Sequence, residues 1–232
     1  MTSIERAREI AISDTWLREA PESFRRAVIE RCMLQRFEPS QVIYSPGDGD
    51  GGIYCLISGS VRVSVASADD GPFFAHIMQP GIWIGEGPLI SRAPRVVGLS
   101  AGRQSEVLLL PLPAIQSILE SQPIGWKAVA RLTFDHLQTA MTALNDLMIR
   151  DDRRRMIATL LRLGGCRLAP GPDPVPTPID LSHEDLAVMA NLARSTAATI
   201  LHGLAQADLV ELAYRRVILR EPDRLRALLA HD

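Results

Sequence analysis

Hydrophobic and polar positions follow three textures along this chain, and each change of texture predicts a change of element. Over the first 36 residues apolar positions recur at helical spacing. In Ser23–Arg36 the face is Phe24, Ala27, Val28, Arg31 and Cys32, so residues 1–36 are expected to be helical. The texture changes at Pro39. Short β-rich runs (QVIYS, GIYCLI, SVRVSVAS, FFAHIM, IWIG, RVVGLSA, SEVLLLPL) extend to about Leu112, separated by PGDGDGG, SGS, ADDGP, QPG and APR. Regular short strands with Gly- and Pro-rich turns predict a closed antiparallel roll or barrel.

After Pro113 the spacing is helical again, and Pro123 is placed to open a helix. Ala130, Phe134, Leu137, Met141, Leu144 and Met148 then step by 4, 3, 4, 3 and 4, the a/d pattern of a coiled-coil seam. A second apolar face, Leu132, Ala140, Ala143 and Leu147, suits packing on the roll. A helix buried on both sides implies a homodimer; the alternative is one amphipathic helix packed only on its own domain. The apolar pattern breaks at IRDDRRR, which places a domain boundary near Arg150–Asp152, and RMIATLLRLGG forms a new helix ended by Gly164 and Gly165. LAPGPDPVPTP reads as a linker or an extended hairpin.

The segment LSHEDLAVMANLARSTAATILHGLAQADLVELAYRRVILR is the most informative. Ser182 with Asp185 resembles a capping box. Leu186, Val188, Met189 and Ala190 carry a short helix to Asn191, a residue tolerant of the left-handed conformation. A second helix begins near Arg194 with Thr196, Ala197, Ile200, Leu201 and Leu204 inward, and LVELA–YRR–VILR reads as a β-hairpin. This is a winged helix-turn-helix pattern. The second helix of that motif enters the major groove. The candidate DNA contacts are therefore Arg194, Ser195, Thr196, Thr199 and His202. Arginine can grip guanine and a threonine methyl can meet thymine. The alternative is a helix pair that merely packs, with Arg194 solvated. Arg194, Arg215, Arg216 and Arg220 are placed to form one basic face, although residues 151–232 hold 11 arginines against 11 acids.

Composition narrows the picture by exclusion. The net charge of −2 gives no global pull toward nucleic acid or membrane. Cys32, Cys55 and Cys166 are isolated, against a disulfide framework or a thiolate-held metal cluster, and a reducing cytoplasm is expected. The N-terminal stretch has no signal-peptide apolar run, and no segment approaches a membrane span. Lys127 is the only lysine. In IGEGPLISRAPRVVGLSA, the Gly85-Glu86-Gly87 turn and Arg95 read either as an anion site or as a buried Glu86–Arg95 pair joining two strands. A cupin-type metalloenzyme would need several converging histidines. Only His76 falls in the β-rich region, so no metal and no cofactor is expected.

Together VIYSPGDGDGGIYCLISGSVRVSV, the Gly85-Glu86 turn with Arg95, the long helix, Asp151 at the hinge and the 181–210 helix-turn-helix resemble the cyclic-AMP receptor protein/FNR family of bacterial transcription regulators. The resemblance implies an α+β fold: an antiparallel cyclic-nucleotide-binding-like roll in 1–122 with N-terminal helices, a dimerisation helix in 123–150 and a winged helix-turn-helix in 151–232. It also implies a homodimer on a palindromic double-stranded DNA operator, RNA polymerase as a partner, and an effector pocket at Gly85, Glu86, Gly87, Arg95, Val96, Ala140 and Met141. The chain departs from the cyclic-AMP-binding pattern. Val96 stands where such members place a hydroxyl after the arginine, and Ala140 and Met141 stand where they present hydroxyls to adenine. At about 1 kcal/mol per lost contact, affinity falls roughly a hundredfold, so a regulator not controlled by cyclic AMP is expected, a cyclic-nucleotide-dependent activator being the alternative. The FNR branch's clustered cysteines are absent. A haem-sensing version would need an axial ligand, for which His76 and Met78 are the candidates. In the recognition helix, Ser195 and Thr199 replace the family's common Glu and second Arg, and Ala193 replaces its serine cap.

Overall fold

A computed structural model of the chain describes residues 3–49, 51–65, 73–167 and 177–230. Two compact units divide it, Met1–Phe73 with Met78–Leu137, and Phe74–Ile77 with Gln138–Asp232.

The first part of the chain runs α1 (Ser3–Ile12), α2 (Thr15–Arg18), α3 (Glu22–Glu30), β1 (Met33–Phe37), β2 (Val42–Tyr44), β3 (Gly52–Ser58), β4 (Val61–Val65), β5 (Phe73–Met78), β6 (Trp83–Ile84), α4 (Gly87–Ser91), β7 (Val97–Ala101), β8 (Ser105–Pro111) and α5 (Leu112–Ser121). The helical reading of residues 1–36 overran: α3 stops at Glu30, and Met33–Phe37 pairs residue for residue with β8. β1 is an edge strand whose positions are only half-buried or exposed, so it lacks the alternation that marks a strand in sequence.

Eight strands form two four-stranded sheets ordered β1-β8-β3-β6 and β2-β7-β4-β5. The unbroken apolar run of β3 follows from burial on both faces. Tyr54 and Leu56 join Tyr44, Val63, Leu99 and Val107 between the sheets, while Ile53, Cys55 and Ile57 join a second core with Trp16, Phe24, Ile115, Val129 and Leu132. In that second core Trp16 meets Trp83 and Phe24 edge-on, and the Trp83 indole donates to the Ala11 carbonyl at 2.8 Å.

The long helix α6 (Gly125–Leu147) begins two residues after Pro123, which sits in the preceding turn. Gly125 is required there because a Cβ would run into the Phe24 ring. Ala128, Val129 and Leu132 are buried. The expected second apolar face fails beyond Leu132, since Ala140 and Leu147 are exposed. The buried stripe turns polar instead, through the half-buried His136 to the wholly buried Asp146.

The second unit continues with α7 (Asp152–Leu163), β9 (Thr177–Ile179), α8 (His183–Met189), α9 (Arg194–Gln206), β10 (Val210–Ala213), β11 (Arg216–Leu219) and α10 (Pro222–Ala230). A three-stranded sheet, β10-β11-β9, closes its core of Met156, Leu160, Leu186, Leu201, Leu204 and Val217. Asp151 caps α7 by accepting from the Arg154 N–H at 2.7 Å. Most of the proline-rich stretch lies outside the described residues, but Thr177 and Pro178 open β9, which pairs with β11. Asp146 bonds Arg162 at 3.1 Å and Arg167 at 2.9 Å, so a buried carboxylate ties the end of α6 to α7 and the residues after it.

Candidate effector pocket and nucleic-acid interface

β6 delivers the chain into Gly85, whose φ of 111° glycine adopts at little cost and a residue with a side chain adopts only under strain. A Cβ there would lie 2.8 Å from the Gly52 carbonyl and 3.0 Å from the Arg95 guanidinium. The following Glu86 is only 6% exposed. One carboxylate oxygen accepts the Gly85 N–H at 3.1 Å, and the other lies 2.8 Å from His136 Nδ1. His136 Nε2 in turn lies 2.8 Å from the Trp83 carbonyl. Both partners of the imidazole are acceptors, so both contacts are hydrogen bonds only when both ring nitrogens carry hydrogen. The geometry therefore specifies an imidazolium. Burial alone would lower the His136 pKa, but the Glu86 bond and charge with the Trp83 carbonyl raise it above the ordinary histidine value. Burial would raise Glu86, and the His136 bond and charge outweigh it, holding the carboxylate below its usual range.

This arrangement corrects one expectation. Glu86 pairs with His136, not with Arg95. Arg95 is itself buried, donating to the carbonyls of Gly85 at 3.3 Å and Gly52 at 3.0 Å, and its guanidinium carbon lies 4.0 Å from the centre of the Tyr44 ring. Gly87 starts α4. Val96, directly after the arginine, is 81% exposed, and Ala140 and Met141 are exposed on α6. His76 is half-buried on β5 and Met78 lies in the core between the sheets. Among the described residues no cluster of three or more His, Cys, Asp or Glu side chains is placed to hold a metal ion.

The helix-turn-helix forms as its residues dictate. Ser182 and Asp185 make a reciprocal capping box at the start of α8, and Asn191 turns the chain with φ of 50°. α9 starts at Arg194 without a side-chain cap from Ala193 and buries Ala197, Leu201 and Leu204. Arg194, Ser195, Thr199 and His202 are exposed, and Thr196 is half-buried. Arg194 is paired with Glu184 of α8, an exposed contact of the kind that contributes little. The other arginines of the expected basic face also meet carboxylates: Arg215 lies 4.0 Å from Asp185, Arg216 lies 2.6 Å from Asp180, and Arg220 pairs with Glu211. The hairpin between β10 and β11 exposes Tyr214 at its tip.

Arg155 is a feature that spacing did not announce. Its buried guanidinium donates to the carbonyls of Ile149 and Arg150 before α7 and of Ala190 and Asn191 in the α8–α9 turn, and it pairs with Asp152. One side chain thus ties the residues before α7 to the helix-turn-helix.

A family model described as a cyclic nucleotide-binding domain matches residues 34–122, and a Crp-like helix-turn-helix domain matches residues 154–228. The chain is 27% identical over 179 residues to a cyclic AMP receptor protein of Thermus thermophilus, covering 77% of this chain and 80% of that one. It is 23% identical over 193 residues to a global nitrogen regulator of Synechocystis, covering 82% and 85%. Among solved structures, FixK2 of Bradyrhizobium japonicum superposes with a TM-score of 0.70 at 19% identity, covering 87% of this chain and 98% of that one. A CRP-family transcriptional regulator of Thermus thermophilus superposes with a TM-score of 0.64 at 25% identity, covering 85% and 97%. A roll, a long helix and a winged helix-turn-helix define a class of DNA-binding regulator. The chain belongs to the cyclic-AMP receptor protein/FNR family of transcription regulators.

Proposed function

We propose that this protein is a homodimeric, sequence-specific transcription regulator whose switch is not cyclic AMP. The outward face of α9 carries the DNA-binding part of the reading, with Arg194 and Ser195 at its start and Thr199 and His202 following along the same exposed side. We assign residues 1–122 to the effector unit, 123–150 to dimerisation and 151–232 to DNA binding. RNA polymerase is the further partner this reading implies, the cytoplasm its compartment, and no residue is assigned a catalytic role. Among the described residues no helix is long and apolar enough to cross a membrane.

The homodimer rests on the α6 seam. Phe134, Leu137, Met141, Leu144 and Met148 are each more than half exposed in the single chain, and Ala130 is exposed with them. Large apolar side chains repeated at a/d spacing and left in water mark an interface that a second α6 covers. The effector part rests on the pocket. Both Glu86 oxygens are already bonded, the Arg95 guanidinium lies against two carbonyls and a tyrosine ring, and the neighbouring hydroxyl is replaced by Val96. A cyclic nucleotide would have to displace these bonds and find fewer in return. Names of similar proteins refer to cyclic AMP, to nitrogen and to c-di-GMP, so similarity to this family leaves the effector open. Footprinting of the purified protein on genomic fragments, with and without cell extract, tests the reading. Protection of two half-sites about one helical turn apart supports it, and uniform, salt-sensitive coverage without a preferred site overturns it.

A further inference from the structure

His202 stands on the exposed side of α9, and its Nδ1 lies 2.7 Å from the Ala198 carbonyl. A carbonyl oxygen only accepts, so Nδ1 carries a hydrogen whether the ring is neutral or charged. In the neutral ring Nε2 is therefore a bare lone pair, which repels a phosphate oxygen. Protonation turns the same atom into a charged donor. His202 follows Arg194 by eight residues, about 12 Å along the helix. The first turn of a recognition helix meets base edges, so a residue that far along reaches the groove wall, where the phosphates are.

The surroundings of His202 bear on its proton. The ring of His183, first residue of α8, meets it edge-on with centroids 6.2 Å apart and planes at 88°. The charged groups nearest in the chain are engaged with one another: Glu184 with Arg194 from α9, Asp185 with Arg215 from the hairpin, and Asp180 with Arg216 of β11. Neither imidazole has a carboxylate within ion-pair distance among the described residues. Burial, and then the nearness of His202, push the His183 pKa below the ordinary value. The two rings thus meet edge-on, and the arginines of this face are already matched by carboxylates.

We propose that His202, edged by His183, contacts the duplex backbone through Nε2 only as an imidazolium, so that DNA binding takes up a proton. The inference rests on the DNA-binding reading and adds His183 to the residues that govern it. A phosphate beside Nε2 favours the charged ring, so affinity rises as pH falls through the histidine range, by up to about tenfold per pH unit for one proton taken up.

The test is fluorescence anisotropy with a labelled random-sequence duplex, because phosphate contacts are independent of sequence, at fixed ionic strength from about pH 5.5 to 8.5. Wild type is expected to bind roughly three- to tenfold more tightly at the acid end. His202→Gln should lose that dependence and match wild type at the alkaline end, while His202→Lys, charged throughout, should bind tightly with a flat profile. His183→Gln should move the wild-type transition to higher pH. Both substituted residues are exposed or half-buried, and equal melting temperatures would confirm that the three variants fold. A pH slope in His202→Gln equal to wild type, or an equal weakening at every pH, overturns the proposal alone. No duplex binding by wild type at any pH overturns the DNA-binding reading together with it.

Discussion

The carboxylate of Glu86 and the imidazole of His136 lie 2.8 Å apart, fifty residues distant in the chain, and join the Gly85–Gly87 turn to the long helix. The pair should be visible as pH-dependent stability. The raised His136 pKa contributes stability that is complete below the unfolded histidine value of about 6.5 and is lost as pH rises through the folded value. The lowered Glu86 pKa contributes stability that is present above about 4.3 and is lost as pH falls through its folded value. The melting-temperature gap between wild type and His136→Gln should therefore be widest between these limits and shrink on either side. His136→Ala, which leaves Glu86 buried without its partner, should cost about 3–5 kcal/mol in that window. A gap independent of pH would show that the two groups are merely neighbours.

Arg155 makes a second, independent prediction. Replacing it with methionine keeps the apolar stem but strands the carbonyls of Ile149, Arg150, Ala190 and Asn191. Each orphaned buried acceptor costs about 1–3 kcal/mol, with the loss reduced where water can enter. Arg155→Met should unfold the second unit at lower denaturant concentration, and the α8–α9 turn should lose amide protection first. Unchanged exchange at Ala190–Leu192 would mean that the turn holds itself.

What the sequence announced and what it concealed differ in physical kind. Strands β2 to β8 were legible because Gly- and Pro-rich turns punctuate them, and α8 because its capping box and Asn191 are local signals. Local signals need no knowledge of the partner. β1 was missed because an edge strand has little alternation to read, and the Glu86–His136 pair because its members are separated by fifty residues. A signal for His136 did exist: it follows Val129 and Leu132 at helical spacing, on the stripe that is buried, so it had to meet a polar partner. Arg155 sits in the run DDRRR, where nothing in composition separates a clamp from its solvated neighbours. The apolar stripe of α6 was readable as a pattern, but that pattern fitted a dimer seam and packing within one chain alike.

Arg194 is expected to be the main reader of base identity. It begins α9, and its only described tie is the exposed pair with Glu184, weak enough to exchange for a guanine. Arg194→Ala should cost about 1–3 kcal/mol at the specific site while the protein stays folded. Binding-site selection with the variant should show relaxed preference at one position in each half-site. Equal loss on specific and random duplexes would assign Arg194 to phosphate.

The seam predicts an oligomeric consequence. Met141 is 55% exposed in the middle of the apolar stripe, so Met141→Glu brings two like charges together across a paired α6. An unpaired charge buried in an apolar interface costs several kcal/mol, and sedimentation should show monomer, with binding to the specific site collapsing in parallel. A variant that remains a tight dimer would place the interface elsewhere.

Cyclic AMP should leave the protein unchanged. A nucleotide bound at the Gly85–Gly87 turn would have to draw Arg95 from the Gly85 and Gly52 carbonyls and from the Tyr44 ring, and Glu86 from His136. In return it would find Val96 directly after the arginine, which offers no hydroxyl. A charge contact without its orienting hydroxyl discriminates poorly between anions. A ligand present at a hundred times its dissociation constant stabilises the folded state by about 2.7 kcal/mol, which a melting curve resolves easily. Neither cyclic AMP nor cyclic GMP, at roughly millimolar concentration, should move the melting temperature, and the unliganded protein should bind its site. A clear upward shift that Arg95→Ala abolishes, together with tighter DNA binding, would show that the bonds inside the pocket yield to the nucleotide and that the pocket is a working cyclic-nucleotide switch.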